Sequence, residues 1–236
     1  MISVTVLMST YNGEKYLREQ LDSIFAQKNV SVELVVRDDA SSDRTVDILK
    51  EYQKIHEKMI IINDRKNLGA CNSFLYLIRT YTQGKYFALA DQDDIWDEDK
   101  LVIAVKAIET VEKKKSDIPL LYYSNLRVVN EKNEFGRMSH SMPHVSKNRY
   151  AALIENLATG CTVVYNRDLA NLAKSAQPEQ YSMHDVWLYR VAKIFGEAIY
   201  DFEPHINYRQ HAENVVGTSI KKVSLRKIER ELKWML

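Results

Sequence analysis

Between Ala88 and Asp99 the chain reads ALADQDDIWDED, and six of those residues are acids: Asp91, Asp93, Asp94, Asp97, Glu98 and Asp99. They stand directly behind an apolar run that reads as a buried strand. Carboxylates crowded at the end of a buried strand repel one another and lose hydration, so the pattern calls for a cation among them. The last three have an ordinary use at the opening of the next helix, where carboxylates meet free N–H groups and the positive end of the dipole. That use does not extend to Asp91, Asp93 and Asp94, which belong to the strand exit.

Three other apolar runs also end in polar clusters: STYNGE (Ser9 to Glu14), RDDASSD (Arg37 to Asp43) and NDRKNLGACN (Asn63 to Asn72). One such exit is explained by a turn and a helix cap, but four together point to a ligand. The pair Asp38–Asp39 could hold Mg2+ for aspartyl phosphorylation, or could hydrogen-bond a nucleotide base or ribose. Phosphorylation of the receiver kind would need an acid pair at the first exit, which has none. The base-and-ribose reading fits better, with Tyr11 as an aromatic face for stacking. A phosphatase of the DxDxT type is disfavoured because Asp94, not x-Thr, follows DQD.

The elements that must position these residues follow from periodicity. ISVTVLM, VELVVR, MIIIN and KYFALA each precede a longer helical pattern, an order that predicts a parallel sheet covered by helices. Helices are expected over 14–27, 44–57, 69–81 and 98–111, with Asp43 capping the second and Asn67 or Gly69 opening the third. Ligands of such sheets bind beyond the carboxyl ends of the strands, where the four polar exits lie. After Pro119 the alternation stops: LLYYSNLRVV and GCTVVYN read as strands, and Phe135 to Tyr150 as a long loop.

The 236 residues suffice for one substantial domain, and 45% hydrophobic with 28% charged residues is ordinary for a globular protein. A net charge of +1 gives no field for nucleic acid. Two cysteines, Cys71 and Cys161, form no paired motif, so a disulfide framework is not expected and a reducing cytoplasm is. Neither a secretory leader nor a membrane span is expected. The tail SIKKVSLRKIERELKWML carries Ile220, Val223, Ile228, Leu232 and Met235 on roughly one helical face and basic residues on the others. Packing on the domain is its ordinary reading; the functional one is peripheral contact with the inner face of a membrane, and the pattern runs up to Leu236, leaving room for a continuing membrane-associating region.

Taken in order, VTVLMSTYNGEKYLREQLDSIFAQ, ELVVRDDASSDRT, NLGACNSF and FALADQDDIWDEDKL resemble the motifs of the family 2 glycosyltransferases, which have the GT-A fold. ATGCTVVYNRDL, MHDVWL and YRQHAENVVG extend the resemblance, toward the bacterial enzymes that transfer rhamnose or a related deoxysugar. It implies an α/β fold with a mostly parallel, Rossmann-like central sheet flanked by helices and a more irregular C-terminal half. One GT-A domain is expected, with 1–118 binding the nucleotide-sugar, 119–219 binding the acceptor, and 220–236 an amphipathic helix.

The resemblance also assigns roles. Ser9, Tyr11, Asn12, Asp39, Arg65 and Asn67 would contact a dTDP- or UDP-sugar, with Asp93 and Arg209 toward the ribose or phosphates. Asp93, Asp94 and His211 would hold Mn2+ or Mg2+, although which acids of the Asp91 to Asp94 cluster do so is open. Asp185 would be the general base of an inverting transfer to a hydroxyl of a glycan or lipid-linked glycan, for cell wall or capsule polysaccharide; in its ordinary reading, His184–Asp185 only caps a helix. Two other classes compete. A sugar nucleotidyltransferase would need a Gly-rich phosphate loop, and the first exit has one glycine; a non-catalytic nucleotide-sugar-binding module would dispense with Asp185.

Overall fold

The computed structural model describes residues 2–139, 148–175 and 183–212. Strands β1 (Ile2–Thr10), β2 (Val30–Asp38), β3 (Met59–Ile62) and β4 (Tyr86–Ala90) are the four apolar runs, and they pair in parallel in the order β3-β2-β1-β4. Their connections are helices α1 (Leu17–Phe25), α2 (Thr45–Gln53) and α3 (Ala70–Thr80). All four strands therefore deliver their carboxyl ends to one edge. Helix α4 (Lys100–Glu112) follows the short strand β5 (Ile95–Trp96).

Both faces of the sheet are covered, which is why its strands are apolar without alternation. On β1, Val4, Val6 and Met8 enter one core with α1, α2 and α4, while Leu7 enters the other with α3. Full burial of side chains of this size contributes about 1.5–3 kcal/mol each.

The second half completes the same sheet. Strand β6 (Leu120–Val129), β8 (Val164–Asn166) and β9 (Glu197–Arg209) give the order β3-β2-β1-β4-β8-β6-β9-β5, with β7 (Phe135–Met138) paired to β6. Strand β9 runs parallel to β6 and antiparallel to β5, so its last residues arrive beside the exit of β4. Helices α5 (Arg167–Ala173) and α6 (His184–Phe195) pack on the α3 side. This mixed α/β architecture, a curled and mostly parallel sheet flanked by helices, is the GT-A fold.

Several local expectations change. The stretch 135–150 is not all loop: Phe135–Met138 is a strand on the edge of β6, and Arg149–Leu153 is a 3-10 turn. In GCTVVYN only Val164–Asn166 is strand, because Gly160–Thr162 forms a 3-10 turn. Helix α1 starts three residues after Glu14, whose carboxylate accepts from the Arg44 N–H while its own N–H donates to Asp43, fastening the first exit to the second. Asp43 does accept from the Thr45 N–H at the start of α2. Asp97 to Asp99 do not cap α4 with their side chains; Gln27 from the end of α1 accepts from the Leu101 N–H instead. The amphipathic tail lies outside the described residues. Among those described, no helix is long and apolar enough to cross a membrane.

Asn166 holds the two halves of this sheet together. Its Oδ1 accepts from the Leu120 N–H at 2.9 Å and from the Leu169 N–H at 3.1 Å, and its Nδ2 donates to the Ile118 carbonyl. Asn166→Ala should lower stability by about 2–4 kcal/mol, since it removes a helix cap and leaves a buried N–H unpaired. Urea unfolding of the two proteins measures this.

Candidate active site

The acids at the β4 exit are met from three directions. Strand β9 carries Arg209, whose backbone N–H donates to Asp94 Oδ1 at 3.2 Å and whose guanidinium donates to the Asp93 carbonyl at 3.0 Å. Two residues on, His211 Nε2 lies 2.8 Å from Asp93 Oδ2, with both side chains largely buried. Tyr16 underlies this arm, its ring 4.9 Å from that of His211 and 4.7 Å from the Arg209 guanidinium. The remaining donors of Arg209 go to the Glu131 carbonyl and to Glu19. The Arg209 guanidinium thus reaches three protein oxygens at the site's edge.

Burial dominates the protonation of these acids. Asp91 is pushed up to about 7 by desolvation, with the charges of Asp93 and Asp185 adding to it. Asp93 is raised by burial, which His211 opposes, and Asp94 is raised by burial and then by its two acidic neighbours. Asp94 is fully buried and its Oδ2 has no hydrogen-bond partner. Facing it is Lys100, 1% exposed, with its ammonium 3.8 Å above the Trp96 ring and pushed down to about 8 by burial.

Among the described residues, two groups of three bring possible ligand atoms within 4.8 Å of one another: Asp97, Asp99 and His205, and Asp91, Asp94 and Cys161. The second suits a hard cation poorly, because burial holds the thiol protonated and Lys100 already supplies positive charge to Asp94. Asp93 and His211, a carboxylate oxygen and an imidazole nitrogen 2.8 Å apart, are ligand types that fit Mn2+ or Mg2+, and Asp91 does not join them within 4.8 Å.

The base-side residues gather at the first three exits. Ser9 is half-buried at the end of β1, and Tyr11 is 51% exposed, leaving its ring open to a ligand. Asn12, at positive φ, bridges to Ser41 and Ser42. Asp39 is buried and heavily engaged: its Oδ1 accepts from the Leu68 N–H at 2.7 Å, from Ser73 at 2.9 Å and from Arg37, and its Oδ2 from the Gly69 N–H at 2.8 Å. Burial works against its charge, but these donors outweigh it and hold the carboxyl below its usual range. Arg65 and Asn67 are exposed on the same loop, where Asn67 accepts from the Gly69 N–H. A cavity of about 710 Å3 lined by Leu68, Asn72, Tyr76, Arg79, Thr80 and Lys174 opens beside that loop, yet contains none of the acids.

Asp185 is the second residue of α6, whose cap position is Met183, so it does not serve as the N-cap. Its Oδ1 accepts from the Val186 N–H at 2.7 Å and its Oδ2 from the Gly160 N–H at 3.2 Å, and its charge is felt at Asp91. The fold thus brings Asp185 to the same edge as Asp91, Asp93 and His211.

Residues 5–172 match the profile described as glycosyl transferase family 2. The chain belongs to that family. It is 30% identical over 228 residues to the dTDP-rhamnosyl transferase RfbG of Shigella flexneri, covering 90% of this chain and 74% of that one. It is also 30% identical over 170 residues to the UDP-Glc:alpha-D-GlcNAc-diphosphoundecaprenol beta-1,3-glucosyltransferase WfgD of Escherichia coli, covering 71% of this chain and 62% of that one. Among solved structures, S. aureus TarS 1-349 in complex with UDP-GlcNAc superposes with a TM-score of 0.71 at 17% identity, over 99% of this chain and 65% of the other. The mannosyltransferase PcManGT of Pyrobaculum calidifontis, in complex with GDP-Man and Mn2+, gives 0.60 at 20% identity over 88% and 56%. The chain thus spans roughly two-thirds to three-quarters of its longer-matching relatives.

Some site residues gave little sign of themselves in the sequence. Gln92 exchanges two hydrogen bonds with the Tyr11 backbone, at 2.8 and 3.0 Å, and packs where a Gly13 side chain would stand. Arg37 was the more legible, being a charge inside the apolar run VELVVR.

The raised Asp91 sets a pH test. Its folded state holds a proton that the unfolded chain, near 4, has released, so its ionisation costs stability progressively as pH rises from about 4 to about 7. In chelator, Asp91→Asn should therefore gain stability over the parent protein across that window and keep the gain above it. Urea midpoints at pH 4.5 and 8 read the difference; a constant offset would contradict the assignment.

Proposed function

We propose that this protein is an inverting, metal-dependent glycosyltransferase that moves a sugar, rhamnose or a related deoxysugar, from a dTDP- or UDP-sugar to a hydroxyl of a cell-envelope polysaccharide precursor. The observation that carries the reading is the convergence of Asp185 on the acid cluster, with a separate aromatic and polar cluster for a nucleotide on the same edge. The rhamnosyl and glucosyl transferases it resembles, and the nucleotide-sugar complexes of its structural neighbours, support the substrate class. We assign residues 1–118 to the donor and 119–219 to the acceptor.

In this reading Tyr11 stacks on the base while Ser9 and Asn12 line its approach. Asp39, held by its donors on Oδ1, keeps acceptor capacity on Oδ2 for the nucleotide, beside the loop bearing Arg65 and Asn67. Asp93 and His211 would hold the cation, with Asp94, turned inward, behind them. When bound, Mn2+ or Mg2+ supplies the positive charge that a departing diphosphate requires. Asp185 takes the proton of the acceptor hydroxyl as that oxygen bonds to the anomeric carbon. The bond from that carbon to the diphosphate breaks on the opposite face, which inverts the configuration. Such a base contributes about 10²–10⁴ in rate.

Asp185→Asn is the discriminating variant, since asparagine keeps the shape and can accept one of the two backbone N–H groups but not the proton. Transfer from dTDP- and UDP-sugars in Mn2+ should fall about a hundredfold or more, with nucleotide affinity unchanged and the melting temperature only modestly lower. Normal turnover would remove Asp185 from the chemistry, and nucleotide binding without any transfer by the parent protein would favour a binding module.

A further inference from the structure

The Gly160–Thr162 turn touches both halves of the chemistry. At one end, the Gly160 N–H donates to Asp185 Oδ2. At the other, Cys161, 1% exposed, directs its thiol to Asp94 within the cluster that includes Asp91. The turn is itself pinned to the sheet, because the Val163 carbonyl accepts from the Leu89 N–H of β4 at 3.2 Å.

A side chain at position 160 has nowhere to go. A Cβ there would stand 3.0 Å from His184 Nε2 and 3.6 Å from the Asp185 Cβ. His184 cannot readily yield, being 4% exposed and stacked on Phe74 with ring centroids 4.1 Å apart. The glycine is not required for its backbone angle, since its φ is not positive. What needs glycine is the close approach of the turn to the start of α6.

We propose that Gly160 is a positioning residue for the transfer: its N–H fixes one oxygen of Asp185, and its missing side chain lets the His184–Asp185 corner close to within hydrogen-bond reach. The inference rests on Asp185 being the base. Val186 fixes the other oxygen, so the carboxylate is held in plane by two backbone donors, and each oxygen keeps a lone pair for the incoming proton. Because the same turn carries Cys161, the base is indexed directly to the acids that would hold the leaving group. Precise placement matters here, as a displacement near 1 Å can cost about a hundredfold in rate.

The test uses the full chain with two substitutions. Gly160→Ala adds the methyl and keeps the N–H; Gly160→Pro adds similar bulk and removes the donor, after a residue, Thr159, already extended at φ −80° and ψ 130°. Donor affinity by titration calorimetry, kcat and melting temperature are measured for both, with Asp185→Asn alongside. The expected result is unchanged donor affinity, with kcat down about tenfold for Gly160→Ala and further for Gly160→Pro. Adding His184→Ala to Gly160→Ala makes room for the methyl and should recover part of kcat. Full kcat in Gly160→Ala and Gly160→Pro beside an inactive Asp185→Asn would overturn the inference alone. Donor affinity and melting temperature falling in step with kcat would overturn it too, as a merely structural effect. An active Asp185→Asn would instead remove the base assignment, and this inference with it.

Discussion

The crowding of Asp91, Asp93 and Asp94 where β4 leaves the sheet is the constraint from which much of the remaining architecture follows. Three carboxyl groups that close, shielded from water, cannot all ionise without nearby positive charge. The fold supplies it from separate elements, Arg209 at the end of β9 and Lys100 in the first turn of α4, and adds the His211 ring against Asp93. For β9 to deliver its pair, it must lie parallel to β6 and across β5, which is the register observed. The second half of the chain therefore does more than extend the sheet. It completes the electrostatics of the first.

A division of labour among the cations follows. Arg209 and Arg37 are both buried, and each spends its donors on protein oxygens at a strand exit, Arg209 around Asp93 and Arg37 around Asp39 and the loop at Asp64 to Lys66. Buried guanidinium groups of this kind add little net stability, because desolvation offsets their attraction. Their consequence is geometric: Arg37 holds the Asp39 carboxylate, and Arg209 the Asp93 backbone carbonyl, in one orientation before any ligand arrives. Preformed polar geometry is what a site for a charged donor requires, since groups already in place need not reorganise during reaction. Family membership and fold leave the identity of the sugar to the shape of the pocket, which sits on loops rather than on the sheet.

How much could be read in advance differed by the range of the interaction. The four strands of the first half, their parallel order and the edge carrying the polar exits were legible, because each rests on local periodicity and on the rule that parallel strands need crossovers. So was the importance of Asp91 to Asp94, whose density in so short a stretch has no simple packing explanation. Boundaries were less legible: α1 begins after Glu14 because Glu14 and Asp43 fasten two exits together, and the start of α4 is met by Gln27 from the loop after α1. Neither contact leaves a trace in the neighbouring sequence.

By itself, then, the sequence determined the α/β class, the ligand-binding edge and the residue types available for chemistry, since these depend on composition and on spacing within one element. Only the tertiary structure decided which acid meets which cation. Asp93 and Asp94 are adjacent, yet one faces His211 and the other the interior beside Lys100, because successive residues leaving a strand point to opposite sides. The structure likewise decided that Arg209 reaches the Glu131 and Asp93 carbonyls, that Asp39 meets the Leu68 and Gly69 N–H groups, and that the Gly160 N–H meets Asp185 from 25 residues away. Each of those facts joins segments distant along the chain, and their distances are fixed by how helices and sheet pack, a property that no local stretch of sequence carries.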